Sequence, residues 1–199
     1  MLTAASTVTR NKRQPLSKLR GRWLLLLGFF LFLVSVAWAT GFTVVSAETR
    51  LDQNVYRLDA VIDYDLSTVT KEALNNGVPL TIQMQMQVLR RREWLWDETI
   101  ADIQQRYRLE YHALARQYLV TNLNNGELHS YPSRESAIEV LGRVRDFPLL
   151  DKSLLRSGGQ YYGRMRVRLD IEDLPAPLRP VAYLSADWRL TSAWYTWPL

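Results

Sequence analysis

From Leu80 to Val88 the chain reads Leu-Thr-Ile-Gln-Met-Gln-Met-Gln-Val, an unbroken alternation of apolar and polar side chains. A period of two places Leu80, Ile82, Met84, Met86 and Val88 on one face of a strand, with Thr81, Gln83, Gln85 and Gln87 on the other. Burying such a face contributes on the order of 1.5–3 kcal/mol per side chain, before the partial collapse of the unfolded chain is discounted. No helical stripe collects the same five residues.

The same period recurs on both sides of this stretch. It predicts a strand over Phe42–Thr49, a turn at Asp52-Gln53-Asn54 and a second strand over Val55–Leu66. Ser67 or Thr68 then offers an N-cap for a short helix carrying Val69, Ala73 and Leu74, closed by Gly77 and Pro79. After Val88 the chain passes Arg90-Arg91-Arg92 and Trp94-Leu95-Trp96, and a reversal near Asp97 leads into the alternation of Ala101, Ile103, Tyr107, Leu109 and Tyr111. A further reversal at residues 113–116 opens Gln117–Leu123, and Asn124-Asn125-Gly126 supplies a tight hairpin turn before Glu127–Tyr131.

Ser133 caps the clearest helix, whose apolar side is Ala137, Ile138, Val140, Leu141 and Val144, with a stop at Asp146-Phe147-Pro148. Ser157-Gly158-Gly159 turns the chain into a strand over Tyr161–Ile171, with Met165, Val167 and Leu169 inward and Arg164, Arg166 and Arg168 outward. Pro175, Pro177 and Pro180 stiffen the connection to a last strand near Asp187–Trp197, with Trp188, Leu190 and Trp194 on one side. Alternating strands, hairpin turns and the absence of a strand-helix-strand rhythm predict a mainly β fold. The expected form is an antiparallel β-sandwich-like domain with two short helical insertions; the alternative is an α+β arrangement, one curved antiparallel sheet covered by helices.

Charge changes this picture only at one end. The 199 residues carry a net +5, but Arg10, Lys12, Arg13, Lys18, Arg20 and Arg22 precede any acidic residue. Without those six, 19 basic residues face 20 acidic ones, a net of −1. The basic balance therefore belongs to the N-terminus and is no footprint of nucleic-acid binding. Residues 23–39 are apolar and uncharged and end in Ala37-Trp38-Ala39, the small-x-small form of a signal-peptidase site. The chain thus divides into a basic cytoplasmic segment 1–22, a signal-peptide core or membrane anchor 23–39 that contacts the inner membrane if uncleaved, and a single extracytoplasmic β-rich domain 40–199. No twin-arginine signature is present, so the expected route is the general secretory one and the expected location periplasmic.

The chain has no cysteine and only two histidines, His112 and His129. Disulfides, thiol catalysis and cysteine- or histidine-rich metal centres are excluded, and no cofactor is implied. Asp59, Asp63 and Asp65 fall on one strand face, where carboxylates can hold a divalent cation or act in pairs on a glycoside. Alternating acids are also what a solvated strand face carries, and that reading is preferred. His112 near Glu110 and Arg108, and Ser130 beside His129, lack the strained Gly-x-Ser-x-Gly turn of a hydrolase, so no catalytic and no metal-binding residue is assigned.

Tryptophan and arginine carry the remaining signal. Trp94 and Trp96 share a face beside Arg90, Arg91 and Arg92; burial of one indole is expected, and an exposed pair would anchor a partner or stack on a sugar. Arg164, Arg166 and Arg168 form a basic stripe that pairs with Asp59, Asp63 and Asp65 if the two strands are neighbours. If they are not, the stripe is a candidate for an anionic partner.

Asn-Gly-Val-Pro-Leu at 76–80, Trp96-Asp97-Glu98, the run Tyr107–Tyr118, Leu141-Gly142-Arg143-Val144 and the closing Asp187-Trp188-x-Leu190-x-Ser192-x-Trp194 together resemble an exported proteobacterial family of uncharacterised proteins, domain of unknown function 4390. The resemblance covers Gly41–Trp197 and implies no activity and no catalytic residues. Its members are often encoded beside a membrane sensor kinase, which implies an envelope protein partner of that kind. The expected function is a non-enzymatic periplasmic domain that binds such a partner through Arg90, Arg91, Arg92, Trp94, Trp96, Arg164, Arg166 and Arg168; the alternatives are a glycan- or lipid-binding module and, behind it, a hydrolase using the strand carboxylates.

Overall fold

Among residues 41–199, which the computed structural model describes, nine strands form two antiparallel sheets. The segments 1–22 and 23–39, with the expected signal core or anchor, lie outside the described residues. No helix among the described residues is long and apolar enough to cross a membrane.

Strands β1 (Phe42–Asp52), β2 (Val55–Tyr64) and β7 (Arg143–Asp151) make the smaller sheet in the order β1-β2-β7. The larger sheet runs β6-β5-β4-β3-β8-β9, built from β3 (Leu80–Arg90), β4 (Glu98–His112), β5 (Gln117–Asn122), β6 (Leu128–Tyr131), β8 (Tyr161–Leu169) and β9 (Tyr195–Pro198). Helices α1 (Thr68–Asn75), α2 (Arg134–Leu141) and α3 (Arg179–Leu184) fill the connections. The mainly β, sandwich-like architecture with short helical insertions is the one the alternation predicts.

Strand β3 sits at the centre of the larger sheet, and its five even-numbered residues from Leu80 to Val88 are all buried. They meet Leu58, Ala60 and Ile62 of β2 across the sandwich, with Met165, Val167 and Leu169 of β8 completing the floor. Ser67 caps α1 by accepting from the Thr70 amide, and Gly77 ends its turn at φ +84°, a left-handed conformation that glycine adopts without a Cβ penalty.

Several features depart from the pattern. The polar side of β3 is not a solvated face: Thr81, Gln83 and Gln87 are buried, the two glutamines beneath arginine side chains. Helix α2 stops at Leu141, and the stretch expected to continue it through Val144 is strand β7 instead. Gly142 makes that switch, because its carbonyl oxygen accepts from Ile62 N at 2.8 Å and a Cβ there would lie 2.4 Å from the Ile62 carbonyl. Strand β7 has no clean alternation because Asp146, at φ +52°, falls where the register with β2 jumps, and Pro148 is tolerated on an edge strand. The proline-rich connection folds into 3-10 turns and α3, an addition to the two expected helices. Finally, the last strand is only Tyr195–Pro198, so Trp188 and Leu190 enter the core from irregular backbone while Trp194 lies on the opposite, arginine-bearing face.

Candidate binding surface

The β3–β4 hairpin ends in a loop that projects Trp94, Leu95 and Trp96 into solvent, 92%, 65% and 92% exposed. The expected burial of one of these indoles is thus overturned: the loop is too short to fold back over the sheet ends, so neither ring finds a core. Of the three preceding arginines, Arg90 and Arg92 both turn back to pair with Glu98 across the hairpin base. Hydrogen bonding from Arg92 holds the Glu98 carboxyl below the usual range. Arg91 is the exposed member, and its guanidinium lies over the Tyr162 ring at 5.6 Å.

Tyr162 joins the loop to the outer face of the larger sheet. Its hydroxyl donates to Asp97 Oδ2 at 2.6 Å, which lowers the carboxyl and raises the phenol. Two residues further along β8 the arginine stripe begins. Strands β2 and β8 belong to different sheets, so the pairing of Asp59, Asp63 and Asp65 with this stripe does not form. The arginines meet the glutamines of β3 instead, one to one in the strand register: Arg164 Nε donates to Gln87 Oε1 at 2.7 Å, Arg166 Nη2 to Gln85 Oε1 at 3.0 Å, and Arg168 Nε to Gln83 Oε1 at 2.7 Å.

Each glutamine is held from its other side by β4. Gln83 Nε2 donates to Gln104 Oε1 at 2.7 Å, while Gln85 and Gln87 donate to the Asp102 carboxylate at 3.1 and 2.7 Å. Accepting from an arginine and donating to an acid or amide fixes the orientation of every amide in the column. Trp194 packs against the stripe, with the Arg164 and Arg166 guanidinium carbons 4.4 and 4.5 Å from its ring. At the far end Arg106 pairs with Asp170 and Arg108 with Asp173, at 3.1 and 3.2 Å.

Of the predicted surface residues, Arg91, Arg164, Arg166 and Arg168 therefore share one side with Tyr162, and the Trp94-Leu95-Trp96 tip is tied to it through Asp97. A broad depression of about 760 Å³ lined by Arg91, Tyr161, Tyr162, Thr196 and Leu199 flanks them. Pattern reading leaves out Tyr162, Trp194 and the glutamine column as members of this surface. The equal two-residue spacing of Gln83, Gln85 and Gln87 and of Arg164, Arg166 and Arg168 is the signal that could have found them.

The other candidate groups are scattered. Asp59 accepts from Arg50 and from the Asp146 amide, each at 2.9 Å, and Asp65 pairs with Lys71 at 3.4 Å. Among the described residues no group of three or more metal-ligating side chains converges. His112 Nδ1 accepts from the Ala115 amide at 3.2 Å inside the β4–β5 turn. His129 lies instead at a cleft of about 250 Å³ between the sheets, with Glu127, Tyr107 and Phe147.

Comparison with known proteins gives one match. A family model described as Domain of unknown function (DUF4390) fits residues 39–198. No curated protein and no solved structure matches the chain.

Proposed function

The chain belongs to the family described as Domain of unknown function (DUF4390), and we propose that its domain is a non-enzymatic, extracytoplasmic module that docks a protein partner in the cell envelope. The observation that carries the reading is the Trp94-Leu95-Trp96 tip. Two indoles held almost wholly in water forgo their burial, and tryptophan beside arginine is the composition of interface anchors. Arg91 and the arginine stripe extend the apolar tip into a cationic strip, so a partner covering both would bury an apolar anchor with a charged flank.

The N-terminal layout supports export by the general secretory route into the periplasm, with residues 23–39 either cleaved or retained in the inner membrane. A membrane sensor kinase is the kind of partner that the family resemblance suggests. Alkaline phosphatase fused after Leu199 is expected to be active, and an inactive fusion would contradict the location.

Partner docking is tested by placing a photocrosslinking amino acid at position 95 of the full chain in cells, with position 114 as control because Leu114 is likewise free of the core. One discrete protein adduct from position 95, absent from 114 and lost with Trp94→Ser and Trp96→Ser, supports the reading. Identical adducts from both positions, or none from 95, overturn it. Quenching of tryptophan fluorescence by cell-wall fragments in place of any adduct would mark a glycan-binding module.

A further inference from the structure

The arginine stripe is a built row of cations. Arg164, Arg166 and Arg168 project from one face of β8 at every second residue, so their heads repeat at about 6.6–6.8 Å. Among the described residues none of the three pairs with a carboxylate, although several arginines around them do: Arg90 and Arg92 with Glu98, Arg106 with Asp170, Arg108 with Asp173. Two acids at the ends of these contacts are hydrogen-bonded to other groups, Asp97 to the Tyr162 hydroxyl and Asp102 to the amides of Gln85 and Gln87, and Asp97 reaches Arg164 only as a neighbouring charge.

The three heads are also held in place. A glutamine oxygen takes one N–H of each guanidinium, and Trp194 supports Arg164 and Arg166 from one side. That leaves further terminal donors on every fork, while the Nε of Arg166 is buried beneath its own head without a partner. A guanidinium oriented in advance loses little freedom on meeting a planar carboxylate, which it binds through two parallel hydrogen bonds.

We propose that this row takes an extended acidic segment of the partner polypeptide, with carboxylates at alternate positions lying along β8. The match is one of period. Acids at i, i+2 and i+4 of an extended chain share a face and repeat at the same spacing as the arginines, whereas a block of four consecutive acids puts only two on either face and a helical display does not repeat at that spacing. The proposal deepens the partner-docking reading and rests on it: the Trp94-Leu95-Trp96 tip supplies the apolar anchor and the stripe reads charge and register.

The test uses the full chain and two synthetic octapeptides of one composition, titrated by calorimetry at low and moderate salt. In one, glutamate and threonine alternate throughout; in the other, all the glutamates precede all the threonines. The alternating peptide is expected to bind about tenfold more tightly than the block, and Arg164→Gln with Arg166→Gln and Arg168→Gln to remove that preference. Arg→Lys at the same positions keeps the charge but loses the fork, and is expected to restore part of the affinity and little of the preference. Equal binding of both peptides, or no binding of either, overturns the proposal, and the peptide comparison on the unaltered chain decides it even if the triple variant fails to fold. A position-95 adduct together with no peptide preference would remove this inference alone. Absence of the adduct would remove the docking reading.

Discussion

Arg164 and Gln87 face each other across the β3–β8 pair, the guanidinium Nε donating to the amide oxygen at 2.7 Å while the same amide donates to Asp102 on β4. One neutral side chain thus links a cation on one neighbouring strand to an anion on the other. Gln85 repeats the arrangement one step along, sharing Asp102 and accepting from Arg166. Glutamine at these positions covers the middle of the sheet and spaces the arginines from the acid, which leaves the arginine heads without a carboxylate of their own.

Removing the middle member is costly. Gln87→Leu roughly keeps the volume but leaves the Arg164 Nε without a partner in a part-buried setting and takes from Asp102 Oδ2 the closer of its two donors, at about 1–2 kcal/mol. Urea unfolding of the variant should show that loss, and an unchanged midpoint would mean that water replaces the amide on both sides.

Gly163 tests the packing beneath the same strand. It pairs with Trp197 of β9, and a Cβ there would stand 2.4 Å from the indole ring. Gly163→Ala should displace the buried Trp197 and cost about 1–3 kcal/mol, read as a lower melting temperature and a shift of tryptophan emission. A neutral outcome would show that β9 slides at no expense.

The tip makes the opposite prediction. With both indoles outside the core, Trp94→Ser combined with Trp96→Ser should change stability by less than about 0.5 kcal/mol. A substantial loss would return the tip to a structural role.

Acid sensitivity should appear at Asp173. Burial alone would push its carboxyl up, but hydrogen bonds from Thr81 and Arg108 outweigh burial and hold it below the ordinary carboxylate range. A carboxyl depressed in the folded state stabilises the fold above its unfolded value of about 3.9, and that contribution is lost as pH falls through the folded value. Asp173→Asn should therefore be less stable than the parent at neutral pH, with the difference shrinking below about pH 4. A difference that stays constant into strong acid would assign the role to shape and not to charge.

Much of this is legible in the chain. The alternation of Leu80–Val88 and of Met165, Val167 and Leu169 defines which faces close on each other, since a period of two admits a single inward set. The β5–β6 hairpin announces itself through Asn124-Asn125-Gly126, and the turn that carries the chain from one sheet into β8 of the other through Ser157-Gly158-Gly159, where Gly126 and Gly158 take positive φ. Strand β7 is hidden because Val144 fits the helical spacing from Ala137, and only the approach of Gly142 to Ile62 shows that the helix must end. Pairing between distant strands is equally hidden. Nothing local says that Arg166 meets Gln85 and not an aspartate of β2, because the order of strands in a sheet is set by the whole sandwich. The side on which Trp194 lies escapes the pattern for a related reason: irregular backbone between Trp188 and β9 breaks the two-residue count.

Partner docking as proposed requires the binding side to be the outer face of the six-stranded sheet together with the β3–β4 tip. Photocrosslinking amino acids placed in turn at positions 95 and 196 on that side, and at 45 and 61 on the exposed face of the three-stranded sheet, test it most directly. The same protein adduct should form from 95 and 196 and from neither 45 nor 61. An adduct formed chiefly from 45 or 61 would move the interface to the other sheet and contradict the account.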